Sequence, residues 1–151
     1  MIVISACLCG VNCKYSGGNN LNEKALELLK QGKAILVCPE QLGGLTTPRL
    51  PHEIVGGTGK EVLEGKIKIL SNEGEDSTNK FVEGAYEALK LAKLVGATKA
   101  ILKAKSPSCG CGEIYDGSFS GKKIEGNGVT AELFLKNGIR VYTENQIEEI
   151  I

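Results

Sequence analysis

Four short apolar runs rich in β-branched residues recur along the chain: Met1 to Ser5, Ala34 to Cys38, Lys99 to Leu102 and Ile139 to Thr143. None alternates cleanly between apolar and polar positions. That is the pattern of strands covered on both faces, so each run predicts a buried strand of a mostly parallel sheet. Helical periodicity fills the intervals. Asn22 to Gln31 sets Ala25, Leu26, Leu28 and Leu29 on one side and stops at Gly32. A longer helix starts at the cap signals Asp76-Ser77-Thr78, carries Phe81, Ala85, Leu89 and Ala92 as one stripe, and runs to Val95 before Gly96. A third follows Gly128 and ends at Asn137-Gly138, with Ala131, Leu133, Phe134 and Leu135 as its apolar residues. Thr143-Glu144-Asn145-Gln146 has the form of a capping box and predicts a short closing helix.

The interval from Pro39 to Glu75 is a long insertion, and insertions of this length usually carry function. Within it, Val62 to Ile69 reads as a small hairpin around Gly65. The order of elements predicts an α/β fold: a single three-layer, Rossmann-like domain over residues 1–151, with a mostly parallel sheet, right-handed crossovers and a small hairpin insertion. The strand order within the sheet is not encoded in this pattern.

Composition narrows the function. The 151 residues are 42% hydrophobic and 24% charged, enough to fill one core. Eighteen Lys plus Arg balance eighteen Asp plus Glu, so no global positive field attracts nucleic acid or anionic lipid. No apolar stretch approaches the roughly 20 residues of a membrane span, and MIVISACLC lacks the basic flank and length of a secretory signal. The expectation is a cytoplasmic protein that binds neither nucleic acid nor membrane. Six cysteines in such a chain point to metal binding or catalysis rather than a disulfide framework.

Their placement is informative. Cys7 lies two residues past the end of the first strand, Cys38 closes the second, and Cys109 sits in the glycine-rich loop after the third. In open parallel sheets ligands gather beyond the carboxyl ends of the strands, so three thiols distant in sequence are expected at one sheet edge. Three thiolates suit a soft metal, either zinc or an iron-sulfur cluster, and leave a coordination position open for chemistry. Cys9, Cys13 and Cys111 lie in the same loops and offer a fourth ligand, a redox partner, or nothing. The lone His52 reads as a hydrogen-bonded loop residue, not a ligand. The runs Gly56 to Glu61 and Gly117 to Lys122 lack the spacing of a phosphate-binding loop, which excludes ATP hydrolysis. Gly126 to Thr130, opening the third helix, has the form of an anion-binding helix start.

Three segments together carry a family resemblance: SACLCGVNCKYSGG (Ser5 to Gly18), CPEQLGGLTTPRLPHE (Cys38 to Glu53) and KAKSPSCGCGEIYDGSFSGKKIEGNGVTA (Lys103 to Ala131). In order and spacing they resemble the three motif blocks of domain-of-unknown-function family five-two-three, whose members include thiouracil desulfidases. The resemblance implies a [4Fe-4S] cluster held by Cys7, Cys38 and Cys109, and non-redox removal of sulfur from a thiolated pyrimidine base. It implies catalytic roles for Glu40 and Ser106. Cys9 departs from the pattern, which carries leucine there, and the position of Cys13 accepts valine or cysteine, so neither is expected as an obligatory ligand.

The implied chemistry is physically coherent. A soft thiocarbonyl sulfur binds the open iron, the ring carbon becomes more electrophilic, and water attacks it. Glu40 is placed to move the proton, and Ser106 to orient substrate or water. Backbone amides of the Ser106 to Gly112 loop are expected to stabilise the cluster and a developing oxyanion. Arg49 and Ser108 are expected as substrate-binding residues, with Glu53 behind them. The plainer roles are a turn cap for Glu40, a turn initiator for Ser106 and a surface charge for Arg49. The competing function is a non-catalytic metal-binding or sulfur-carrier module.

Overall fold

The computed structural model describes residues 1–150. In chain order the first half comprises β1 (Ile2–Ser5), a 3-10 turn (Ala6–Cys9), α1 (Glu23–Lys30), β2 (Ala34–Val37), α2 (Pro39–Leu42), β3 (His52–Val55), α3 (Gly59–Leu63) and β4 (Lys68–Ser71). The second half comprises α4 (Thr78–Leu94), β5 (Lys99–Leu102), β6 (Glu113–Tyr115), β7 (Lys123–Glu125), α5 (Val129–Lys136), β8 (Arg140–Thr143) and a closing 3-10 helix (Glu144–Glu149).

The four runs read as strands form one sheet in the order β2-β1-β5-β8, every neighbour parallel. Val3 stands opposite Ile35 on one side and Ala100 on the other. The absence of alternation has its expected cause. Val3, Val37, Ala100 and Leu102 enter one core with Phe81, Ala85 and Leu89 of α4 and Phe134 of α5. Their neighbours Ile4, Ala34 and Ile101 enter a second core with Ala25 and Leu28 of α1 and Ile147 of the closing helix. Strands β1, β2 and β5 are therefore apolar on both faces, which gives the three-layer α/β architecture.

The predicted helices stand within a residue or two of their expected bounds, and the cap signals of the longest one resolve to a single residue. Asp76, not Ser77, supplies the side-chain acceptor at the start of α4, its Oδ1 taking the Thr78 N–H at 3.0 Å. The Thr143 box is formed: Gln146 Oε1 accepts the Thr143 N–H at 2.9 Å, and the segment is 3-10 rather than α.

The insertion is where the reading needs correction. Val62 to Ile69 is not a hairpin. Gly59–Leu63 is the short helix α3, opened by a capping box in which Glu61 Oε1 accepts from Thr58 N–H at 2.9 Å. Lys68–Ser71 instead pairs antiparallel with His52–Val55, so His52 lies on a strand and not in a loop. The partner strand sits beyond α3, out of reach of any local turn signal.

Helix α2 packs across α4 at closest backbone approach. A Cβ at Gly84 would overlap the Pro39 carbonyl, and one at Gly43 would overlap the Lys80 carbonyl. Glycine in the middle of a helix costs about 0.5–1 kcal/mol relative to alanine, and here it lets the segment carrying Glu40 lie directly on α4.

Candidate active site

In the sheet order β2-β1-β5-β8, the chain moves from β1 to β2 on one side and then crosses to β5 on the other. The switch point therefore lies beside β1, where loops from β1, β2 and β5 diverge and a crevice opens at their carboxyl ends. A cavity of about 480 Å³ occupies this position. Its walls include Cys7, Cys38 and Cys109, the three thiols expected at one edge, together with Glu40, Arg49 and Ser106.

Each thiol is presented by a different local device. Cys7 sits in the 3-10 turn after β1, closed by Gly10 at φ +91°, and its carbonyl accepts the Asn20 N–H at 2.9 Å. Cys38 is the residue before α2, with Pro39 fixing the first helical position. Cys109 is held by Ser106, whose Oγ accepts the N–H groups of Ser108 and Cys109 at 3.0 and 2.9 Å. Ser106 is thus the turn-forming residue of its loop, and it also lines the cavity.

Glu40 and Arg49 meet inside. Arg49 Nη2 lies 3.7 Å from Glu40 Oε2, and their side chains are only 8% and 13% exposed, respectively. The same guanidinium donates to the Cys13 carbonyl at 3.1 Å and to Thr47 Oγ1 at 3.1 Å, so Arg49 is no surface charge. Its own N–H donates to the Tyr15 carbonyl at 2.8 Å, tying the first and second motif segments together. Burial pushes the Glu40 carboxyl above the usual carboxylate range, with Arg49 opposing that rise.

The thiols are electrostatically linked. Burial raises the Cys7 and Cys109 thiols, and the charges of Glu40 and of neighbouring cysteines add to the rise. Cys38 is the exception. The neighbouring Cys13 thiol lowers it most, assisted by the Gln41 N–H and Arg49, and Cys13 is raised in return; Cys38 Sγ lies 3.8 Å from the Cys13 carbonyl. Cys38 Sγ also lies 3.9 Å from Glu40 Oε1. Cys13, one of the three thiols left open by the sequence, is buried and lines the cavity. Cys9 and Cys111 do not line it; Cys111 Sγ lies 3.8 Å from the Val141 carbonyl.

Several expectations meet a different arrangement. Ser108 is fully buried away from the cavity, its hydroxyl 2.8 Å from that of Thr130. Four amides of its loop are already engaged: Ser108 and Cys109 N–H donate to Ser106 Oγ, Gly110 N–H to the Ser106 carbonyl and Gly112 N–H to Asn127 Oδ1. The start of α5 offers no free anion site either. The N–H groups of Gly128, Val129, Thr130 and Ala131 donate to carbonyls of Gly110, Pro107 and Ser108. Helix α5 grips the cysteine loop with the very groups that would hold an anion.

Sequence reasoning missed Lys103, Asn20, Tyr15 and Tyr115 on the cavity wall. Lys103 pairs with Glu144 at 2.9 Å, while Glu144 also accepts the Ala104 N–H at 2.8 Å, fixing the segment after β5. The adjacency of KAK to the SPSCG segment was the available signal. His52 keeps its expected hydrogen-bonded role. Its Nδ1–H donates to the Leu50 carbonyl at 2.7 Å, leaving Nε2 to accept from Ser77 at 2.9 Å.

A family model described as 2-thiouracil desulfurase matches residues 2–146. The chain belongs to the 2-thiouracil desulfurase family. Membership bears out the family expectation and makes this a desulfurising enzyme rather than a passive binding module. The chain is 50% identical over 151 residues to the uncharacterized protein YbbK of Bacillus subtilis (strain 168), covering 100% of both. It is also similar to the solved structure of TudS (DUF523Vcz), a [4Fe-4S]-dependent thiouracil desulfidase. The TM-score is 0.86 at 38% identity, covering 98% of this chain and 93% of that one. Among the described residues no helix is long and apolar enough to cross a membrane.

Proposed function

We propose that this chain hydrolyses a thiolated pyrimidine base to the corresponding oxo base and hydrogen sulfide, without net redox change, using a [4Fe-4S] cluster held by Cys7, Cys38 and Cys109. The observation that carries this reading is the convergence of three thiols from separate motif segments on one cavity, beside a buried carboxyl.

The donor set fits such a group. Ionising Cys7 and Cys109 is opposed by burial and by neighbouring negative charge, a penalty that a cationic iron group offsets. No three His, Cys, Asp or Glu side chains among the described residues gather closely enough for a single ion. When bound with three protein ligands, the cluster supplies a soft Lewis acid toward the substrate sulfur.

The protons fall to the chain's own groups. Glu40, raised by burial and steadied by Arg49, holds and transfers a proton at its carboxyl: it accepts one from the attacking water or returns one to a ring nitrogen. Ser106 keeps its O–H free to donate into the cavity, since its contacts to Ser108 and Cys109 use the oxygen as acceptor. Arg49 orients Glu40 and, as a cation on the cavity wall, also stands where it can bind the substrate.

The test is direct. Protein purified without oxygen is expected to be brown, to contain iron and sulfide, and to release sulfide from 2-thiouracil or 4-thiouracil. Glu40→Ala is expected to retain iron and lose turnover by about 10²–10⁴-fold, the usual contribution of a general acid or base. Colourless, folded protein, or a Glu40→Ala variant with full turnover, overturns the proposal.

A further inference from the structure

The β6–β7 hairpin contributes a cavity wall yet has little to hold it in place. Tyr115 lines the cavity. Of the six strand residues only Ile114 is buried, and all three in β7 are exposed. An isolated two-stranded hairpin is marginal in water. Beyond its own pairing, its one ladder contact among the described residues is the bridge from Ile114 to Lys105.

Glu53 supplies the missing anchor at the hairpin's tip. It lies on β3 and lines the same cavity. Its Oε1 accepts the N–H of Gly117 at 2.9 Å and that of Phe119 at 3.2 Å. The backbone lies close enough to need glycine there. Gly117 has φ +93°, and a Cβ would stand 2.6 Å from the Ile54 carbonyl oxygen and 2.8 Å from Val55 Cα. Phe119 takes φ +55°, an uncommon conformation for a bulky residue, so the tip is held in an arrangement it would not favour alone.

We propose that Glu53 is a positioning residue: its carboxylate docks the β6–β7 tip onto β3 and so places Tyr115 as a wall of the substrate cavity, acting as a hydrogen-bond acceptor and not in proton transfer. The activity consequence rests on the desulfidase reading above. The docking itself does not.

The variants Glu53→Gln and Glu53→Ala separate the roles in the anaerobically loaded enzyme. Glutamine keeps an acceptor oxygen at the same reach but cannot act as a carboxylate base, whereas alanine removes both. Hydrogen exchange of the 113–125 segment is expected to quicken by about tenfold or more in Glu53→Ala, as follows from losing hydrogen bonds to a charged group, and to change little in Glu53→Gln. With a thiouracil, Glu53→Ala is expected to raise KM by a similar factor with a smaller fall in kcat, and Glu53→Gln to restore most of kcat/KM. Should the alanine variant not fold, Glu53→Asp, which withdraws the carboxylate by one methylene, takes its place with the same expected exchange. Unchanged exchange in Glu53→Ala, or in Glu53→Asp where it stands in, overturns the docking, and kcat lost equally in Glu53→Gln and Glu53→Ala overturns the positioning role. If the parent enzyme releases no sulfide, the functional reading fails while the exchange result still decides the docking.

Discussion

Glu40 and Arg49 face one another at 3.7 Å in the wall of a cavity that both help to line, and the same guanidinium reaches the carbonyl of Cys13. One cation therefore steadies the proposed proton carrier and the turn beside the Cys38 thiol.

Replacing Arg49 tests that arrangement through pH. Burial raises Glu40 and Arg49 opposes it, so Arg49→Met is expected to raise the carboxyl further. If Glu40 acts ionised, the acid limb of the kcat/KM profile moves to higher pH. The stability sign follows from the raised value: the buried protonated carboxyl is tolerated below the ordinary glutamate pKa of about 4.3, and stability falls as pH rises through the raised one. Urea denaturation is expected to show a larger penalty for Arg49→Met at about pH 8 than at about pH 5.

The cysteines divide by whether they line the cavity. Cys7→Ala, Cys38→Ala and Cys109→Ala are each expected to lower iron and sulfide content after anaerobic reconstitution. Cys9→Ala and Cys111→Ala, which remove thiols off that wall, are expected to leave it unchanged. Colorimetric iron and sulfide per chain decide the matter, and a full cluster in Cys109→Ala would contradict the ligand set.

Cys13 has a narrower role, as the neighbouring thiol that most lowers Cys38. In cluster-free protein, Cys13→Val is expected to slow alkylation of Cys38 at neutral pH and to shift its pH profile upward. Peptide mapping by mass spectrometry after timed exposure to iodoacetamide gives the rate for Cys38 alone.

The Gly84 contact predicts a remote effect on activity. Gly84→Ala places a methyl against the Pro39 carbonyl and pushes α2, with Glu40, off α4. Overpacking of this kind costs about 1–3 kcal/mol, measurable by denaturation. Turnover is expected to fall in a variant whose iron content is unchanged.

Much of this architecture is legible in the residue pattern alone. The sequence by itself determined the four sheet strands, the three longer helices, the closing cap at Thr143 and the placement of Cys7, Cys38 and Cys109 after strand ends. These signals are local: periodicity, caps and stop residues act within a few positions of one another. The tertiary structure alone decided the order β2-β1-β5-β8, and with it the switch point where the cavity opens. It also decided that β3 pairs with β4 across α3, that Ser108 turns inward to Thr130, that Cys13 meets Cys38, and that Glu53 reaches Gly117 across 64 positions. Each of these joins segments distant along the chain, and their meeting depends on how whole layers pack, which no short window of residue types records.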